Sequence, residues 1–219
     1  MNGRIIIFGA GGMSAGITQV MAGLGYEVGE VAKAGCDVRD RKAVDEAIRT
    51  LEPNWVINCA GVSDQHGESA ELVCATNLLG AINVTEAMAP LSESATASWL
   101  NRGVIHIAST AGLIAPRRHA YYAASKAGLI RYVESMGAGG FPVWAISPGR
   151  VDTPMRDADW PNEDVTTRLK PFQVGVVVSN VIAGHYQKGA NVVVRKVGTD
   201  RIDVFEDMNP WRAQPSRLA

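Results

Sequence analysis

Short apolar runs alternate along this chain with stretches whose apolar positions recur every three to four residues. The runs cover residues 4–8, 25–32, 55–61 with a closing turn, 103–109, 142–147 and 191–197. Each is short enough for a strand buried on both faces. After the first run, Met13, Ile17, Val20, Met21 and Leu24 fall on one side of a helix that ends at Gly25. Asp40 reads as the N-cap of a second helix with Ala43, Val44, Ala47, Ile48 and Leu51 inward and Pro53 beyond its end. Helical patterns return over 68–88, around Tyr122 and Lys126, and over 173–184. Alternation of this kind predicts an α/β fold, a doubly wound and mostly parallel sheet with helices on both faces. Residues 95–102 read as a polar connection containing Trp99, and 156–172 as a polar stretch with Trp160 and two prolines.

Composition narrows the picture. With 219 residues and 47% hydrophobic content, the chain suits one domain with a full core. We expect that domain over 1–200 and a C-terminal extension over 201–219, in which 202–205 is a candidate extra strand and 210–219 a loose tail or subunit contact. A net charge of −1 gives no reason to expect nucleic acid or an anionic membrane as partner. Apolar runs such as 174–178 are too short to span a bilayer. The first strand begins almost at once, so no signal peptide is expected before it. Cys36, Cys59 and Cys74 are widely spaced and read as small buried hydrophobes, so no disulfide or metal site is expected. A reducing cytoplasm is the expected location. The four histidines show no ligand spacing, and His106 reads as a core residue.

Candidate chemistry sits at the ends of the runs. The first strand runs into Gly9, Ala10, Gly11, Gly12 and Met13 and then into a helix. Glycines allow a tight turn and the close approach of a pyrophosphate, and free N–H groups at a helix start favour the anion. The end of the second strand selects between nucleotide cofactors, because an acidic residue there binds a ribose 2′-hydroxyl and a basic one a 2′-phosphate. Lys33 at that corner favours the phosphate, and Glu30 favours the hydroxyl if the strand stops earlier. Farther on, Tyr122 and Lys126 are four apart and share a helix face. An ammonium beside a phenol pulls its pKa down from about 10 toward neutrality. Ser109 ends a strand, where its hydroxyl can face a crevice.

The stretch from Ser109 through YAASKAGL (122–129) resembles the active-site segment of the short-chain dehydrogenase/reductase family, single-domain Rossmann oxidoreductases that pair a Ser with Tyr-x-x-x-Lys. The resemblance runs from about residue 5 to 197. It implies that Tyr122 is the acid/base, that Ser109 holds the substrate oxygen, and that Lys126 lowers the Tyr pKa and holds the nicotinamide ribose. Asn77, in ATNLLGAIN, matches the family's fourth catalytic residue, which holds a relay water. Asp37 and Val38 match the adenine site. Asn58, Ala60 and Gly61 match the family's Asn-Asn-Ala-Gly turn, with Cys59 replacing the second Asn. Pro148, Gly149, Val151 and Thr153 match the Pro-Gly-x-x-x-Thr segment that flanks the nicotinamide, where the Thr reaches the phosphates. The resemblance also implies a substrate lid over 156–172 and association as a homodimer or homotetramer through the helices of Asn77 and Tyr122.

Departures matter as well. The glycine loop has Phe8, Met13 and Ala15 where single-domain members carry Thr, Gly and Gly, and its spacing fits the looser loop of atypical branches. Only residues 34–36 separate the second strand from Asp37, so the helix usual there is missing and the sheet edge is shortened. Arg117, Arg118 and His119 precede the Tyr122 helix, either as a solvated face or as a site for an anionic substrate group. The implied activity is hydride transfer between NADP(H), favoured over NAD(H), and a small carbonyl or alcohol. A dinucleotide-binding regulator without turnover is the alternative. A nucleotide-sugar epimerase would need a larger substrate domain than the chain after Met155 provides.

Overall fold

The computed structural model describes residues 2–93, 101–114, 116–199 and 201–207. Most of the connection expected over 95–102, and the whole tail over 210–219, lie outside them. Seven strands form one sheet among the described residues: β1 Arg4–Phe8, β2 Glu27–Val31, β3 Trp55–Asn58, β4 Gly103–Ile107, β5 Val143–Pro148, β6 Asn191–Val197 and β7 Arg201–Glu206. Their order is β2-β1-β3-β4-β5-β6-β7. The first six are parallel, and β7 returns antiparallel to β6. The candidate strand over 202–205 is thus part of the sheet. β2 forms one edge, as the missing helix after it implies.

Alternation along the strands feeds two cores. Ile5 and Ile7 point to one face, where Ile17 and Met21 of α1 (Gly12–Gly23) meet Val174, Val177, Val178 and Val181 of α7 (Pro171–Ile182). Ile6 and Phe8 point to the other. That face is covered by Val44 and Ile48 of α2 (Arg41–Leu51), by Val84 and Met88 of α4 (Gly80–Glu93), and by Leu129, Ile130 and Val133 of α5 (Ala120–Ala138). Gly16 lets α1 and α7 touch, since a Cβ there would lie 2.4 Å from Pro171. Pro171 is the first residue of α7, so this helix begins two residues before the expected 173.

The expected helix over 68–88 is longer and interrupted. It is built from α3 (Ala70–Cys74), a π-turn (Ala75–Leu79) and α4. By length and composition alone residues 70–89 would suffice to cross a bilayer, a test that a core helix also passes. Here 44% of that window is buried inside the fold.

His106 of β4 is fully buried between the Thr85 hydroxyl (2.7 Å) and Asn58 (3.3 Å). Burial, reinforced by the Lys126 charge, pushes its pKa down to about 3. A folded pKa below the ordinary 6.5 means that the unfolded chain binds the extra proton first. His106 therefore costs nothing above pH 6.5, and stability is lost as pH falls from 6.5 toward 3, at up to about 1.4 kcal/mol per pH unit. Urea unfolding at pH 7 and pH 4.5 should show this loss, and His106→Gln should flatten it. Equal slopes for both proteins would contradict the assignment.

Candidate active site

The C-terminal ends of β1, β3, β4 and β5 open onto one cavity of about 610 Å³. It lies where the chain order reverses across β1 and β3, the place where doubly wound sheets bind ligands. Gly9 follows β1 with φ +89°, and a Cβ there would lie 2.5 Å from the Ala60 nitrogen. Only glycine fits that left-handed turn. Ser14 then closes the loop, accepting from the Gly11 N–H and donating to the Gly11 carbonyl, each at 2.8 Å. Around the Gly11 Cα there is open space. The result is a bare backbone cradle beside a helix start, which fits a pyrophosphate.

Expected residues meet around this cavity. Gly9, Gly11, Gly12, Met13, Lys33, Asp37, Val38, Ala60, Gly61, Ser109, Tyr122, Lys126, Pro148, Gly149, Val151 and Thr153 all line it. Thr153 also caps α6 (Pro154–Asp159) by accepting from Arg156 N–H. Asn58 and Asn77 are the exceptions, since neither lines it. Asn58 is buried, and its oxygen accepts from Ala60 N–H at 3.1 Å. It shapes the turn from behind and does not line the cavity, because its side chain is spent on Ala60 and His106.

At the other end, Ser109 is the N-cap of a 3-10 turn over Thr110–Gly112. Lys126 is 4% exposed, and its ammonium donates to the Ile107 carbonyl at 2.8 Å. It stands 5.6 Å from the centre of the Tyr122 ring. Asn77 sits in the π-turn and grips Val62 twice, accepting from its N–H at 2.8 Å and donating to its carbonyl at 3.0 Å. Its amide also meets the Ser125 hydroxyl at 3.1 Å, which ties the β3 loop to α5. A π-turn widens the backbone locally and is common where a helix carries function.

The electrostatics differ from the expectation. Burial raises the Tyr122 pKa, and this outweighs the lowering by a hydrogen bond from Ser109. Lys126 does not supply the expected depression, because its amine reaches back to Ile107 and burial pulls its own pKa down to about 8. The neighbouring Cys59 thiol is pushed up to about 12, again by burial.

A family model for short chain dehydrogenase matches residues 2–164. This chain belongs to the short-chain dehydrogenase family. It is 32% identical over 143 residues to an uncharacterized short-chain type dehydrogenase/reductase of Sinorhizobium fredii, and 32% over 138 residues to the 3-oxoacyl-[acyl-carrier-protein] reductase MabA of Mycobacterium avium. Those alignments take in 60% and 56% of this chain but 24% and 52% of the relatives. Among solved structures, a 3-oxoacyl-[acyl-carrier protein] reductase from Brucella melitensis aligns with a TM-score of 0.70 at 21% identity, covering 87% of this chain and 89% of that one. ElxO with NADP bound aligns at 0.73 and 15%, covering 88% and 97%. At such identities the agreement is one of fold.

Against the family pattern, several site residues escaped the sequence reading. Arg39 lines the cavity, its guanidinium paired with Asp37 at 2.6 Å. That pairing, through hydrogen bonds, lowers Asp37 to about 2. Glu30 is taken up by the Thr18 hydroxyl at 2.6 Å. Ile114, Met155, Asp159 and Trp160 also line the cavity, together with His119. Arg117 and Arg118 are exposed and stay outside it. The local signal for Arg39 was the Asp37-x-Arg39 pair; Asp159 and Trp160 fall in the stretch expected as a lid, Met155 lies just past Thr153 in α6, and Ile114 comes from the loop after β4.

Proposed function

We propose that the protein is a nicotinamide-dependent oxidoreductase that passes hydride between NADP(H) and a small carbonyl or alcohol. The observation that carries this is convergence: Ser109, Tyr122 and Lys126 line the same cavity as the glycine cradle. The cofactor supplies the hydride chemistry when bound. Gly9, Gly11, Gly12 and Thr153 would hold its phosphates, Ala60 and Gly61 its adenine ribose, and Pro148, Gly149 and Val151 its nicotinamide end. Lys126 would hold the nicotinamide ribose. Ser109 orients the substrate oxygen, and Tyr122 exchanges a proton with it. A phenol kept protonated by burial suits donation to the oxygen of a carbonyl under reduction. Asn77 steadies the loop and helix that carry these groups. Association as a homodimer or homotetramer, and a cytoplasmic location, complete the reading.

Lys33 and Arg39 line the adenine end and support NADP over NAD. A charge-assisted contact to a 2′-phosphate is a strong one. Lys33→Ala and Arg39→Ala should each weaken NADPH about tenfold while leaving NADH within about twofold. Fluorescence titration of both nucleotides tests this. Tighter binding of NADH by the unchanged protein would overturn the preference.

A further inference from the structure

The wall beside Tyr122 contains a pair of groups that the proposed chemistry does not use. Asp64, in the loop after β3, has a side chain only 5% exposed. One of its oxygens accepts from Nδ1 of His119 at 2.9 Å. The other accepts from the backbone N–H groups of Tyr121 and Tyr122, at 2.9 and 3.1 Å. Asp64 thus caps α5 from another loop, at a helix start whose own N-cap residue, His119, makes no side-chain cap. His119 is held at φ +69°, a left-handed conformation that strains a residue with a Cβ. Its ring stands edge-on to Tyr122 with centres 5.8 Å apart, lies 5.8 Å from the Trp160 ring, and lines the cavity.

A carboxylate offers only acceptors, so the hydrogen between the pair belongs to Nδ1 of His119. With Nδ1 committed, Nε2 is the nitrogen this ring has left to offer to a ligand. Two other polar side chains of that wall are already engaged, while the Trp160 indole N–H has no partner among the described residues. Asp159 pairs with His66 at 3.0 Å, and Arg156 with Glu163 at 2.7 Å. The remaining wall is largely apolar, with Ile114, Pro116, Met155 and the Trp160 ring.

We propose that His119, oriented by Asp64, is a specificity-determining residue that meets a hydroxyl group on the substrate next to the carbonyl served by Tyr122. The substrate class is then a hydroxy ketone, or the vicinal diol in the reverse direction, on a small and otherwise apolar frame. A hydroxyl both donates and accepts, so it pairs with Nε2 in either protonation state of the ring. The inference rests on the oxidoreductase reading above.

The test compares 2-hydroxy ketones with their deoxy counterparts, in acyclic, cyclic and aryl pairs, with NADPH. The wild type should favour the hydroxylated member of at least one pair by about tenfold or more in kcat/KM, because a site built around a hydroxyl discriminates against its absence. His119→Phe and His119→Asn should both bring that ratio to about one; Asn tolerates the left-handed backbone, so agreement between the two separates specificity from misfolding. Asp64→Asn gives a readout independent of turnover. Its amide oxygen keeps the helix cap while its NH₂ faces Nδ1, so the His119 hydrogen should move to Nε2 in ¹⁵N NMR spectra. No preference in the wild type, a ratio that survives both His119 variants, or an unchanged ¹⁵N pattern would each overturn the inference and leave the oxidoreductase reading intact. Absence of turnover for every ketone, with NADPH bound, would sink both.

Discussion

Replacing Tyr122 with Phe is expected to cut turnover by about 10²–10⁴-fold while nicotinamide nucleotide binding stays within about twofold. The substitution keeps the ring and removes one oxygen. The ring's neighbours should stay in place, since His119 and Lys126 meet its edge and face rather than its hydroxyl. What goes is the group that shares a hydrogen bond with Ser109 and that burial keeps protonated. A substrate carbonyl would still be held by Ser109, yet the alkoxide formed on reduction would have no proton donor beside it. The measurement is steady-state turnover alongside nucleotide titration of the same sample. Wild-type turnover in the Phe variant would remove Tyr122 from the chemistry.

The largest stability effect is expected at Arg168. This side chain is 1% exposed and sits among carboxylates, with Asp157 at 2.5 Å, Glu163 at 3.0 Å and Asp152 at 3.4 Å. It also donates to the Trp160 carbonyl at 3.3 Å. Glu163 is shared with Arg156, whose guanidinium lies 5.1 Å from the Trp160 ring centre, and Asp152 is shared with Lys170. The segment expected to be a polar lid is therefore clasped around one buried cation, and the clasp holds α6 and Trp160 against the cavity. Arg168→Met keeps the apolar stem and leaves Glu163 short of one partner. Removing one member of a buried ionic cluster costs about 3–5 kcal/mol, and the lower end applies here because Asp157 reaches solvent. For a chain of this size that is a fall in Tm of about 6–12 °C. Calorimetry should show that fall; a Tm within about 2 °C of wild type would mean the cluster is not what holds this segment.

Local patterns were legible in the sequence, and long-range placement was not. Hydrophobic alternation found the strands, and Tyr122, Lys126, Ser109 and the glycine turn were found because each is a motif of neighbours in the chain. They do share one cavity. The Tyr122 environment was misjudged for a physical reason. A spacing of four puts Lys126 on the right helix face but leaves open where a four-carbon stem sends its amine, and the Ile107 carbonyl claims it. Asn58 was misplaced because its turn matches a cofactor-binding motif, while the side chain itself turns back to Ala60 and His106. Asp64 was missed altogether. It lies 55 residues from His119 with no periodic pattern linking them, and only the packing of the β3 loop on α5 brings them together.

The most direct test of the central claim is a single-turnover experiment. Enzyme saturated with NADPH is mixed with a broad panel of small carbonyls, and the absorbance of the reduced nicotinamide is followed. The account predicts oxidation of the bound nucleotide with at least one carbonyl, and loss of that signal in the Tyr122→Phe variant. Tight NADPH binding with no oxidation across the panel would contradict it and make the protein a nucleotide-binding regulator.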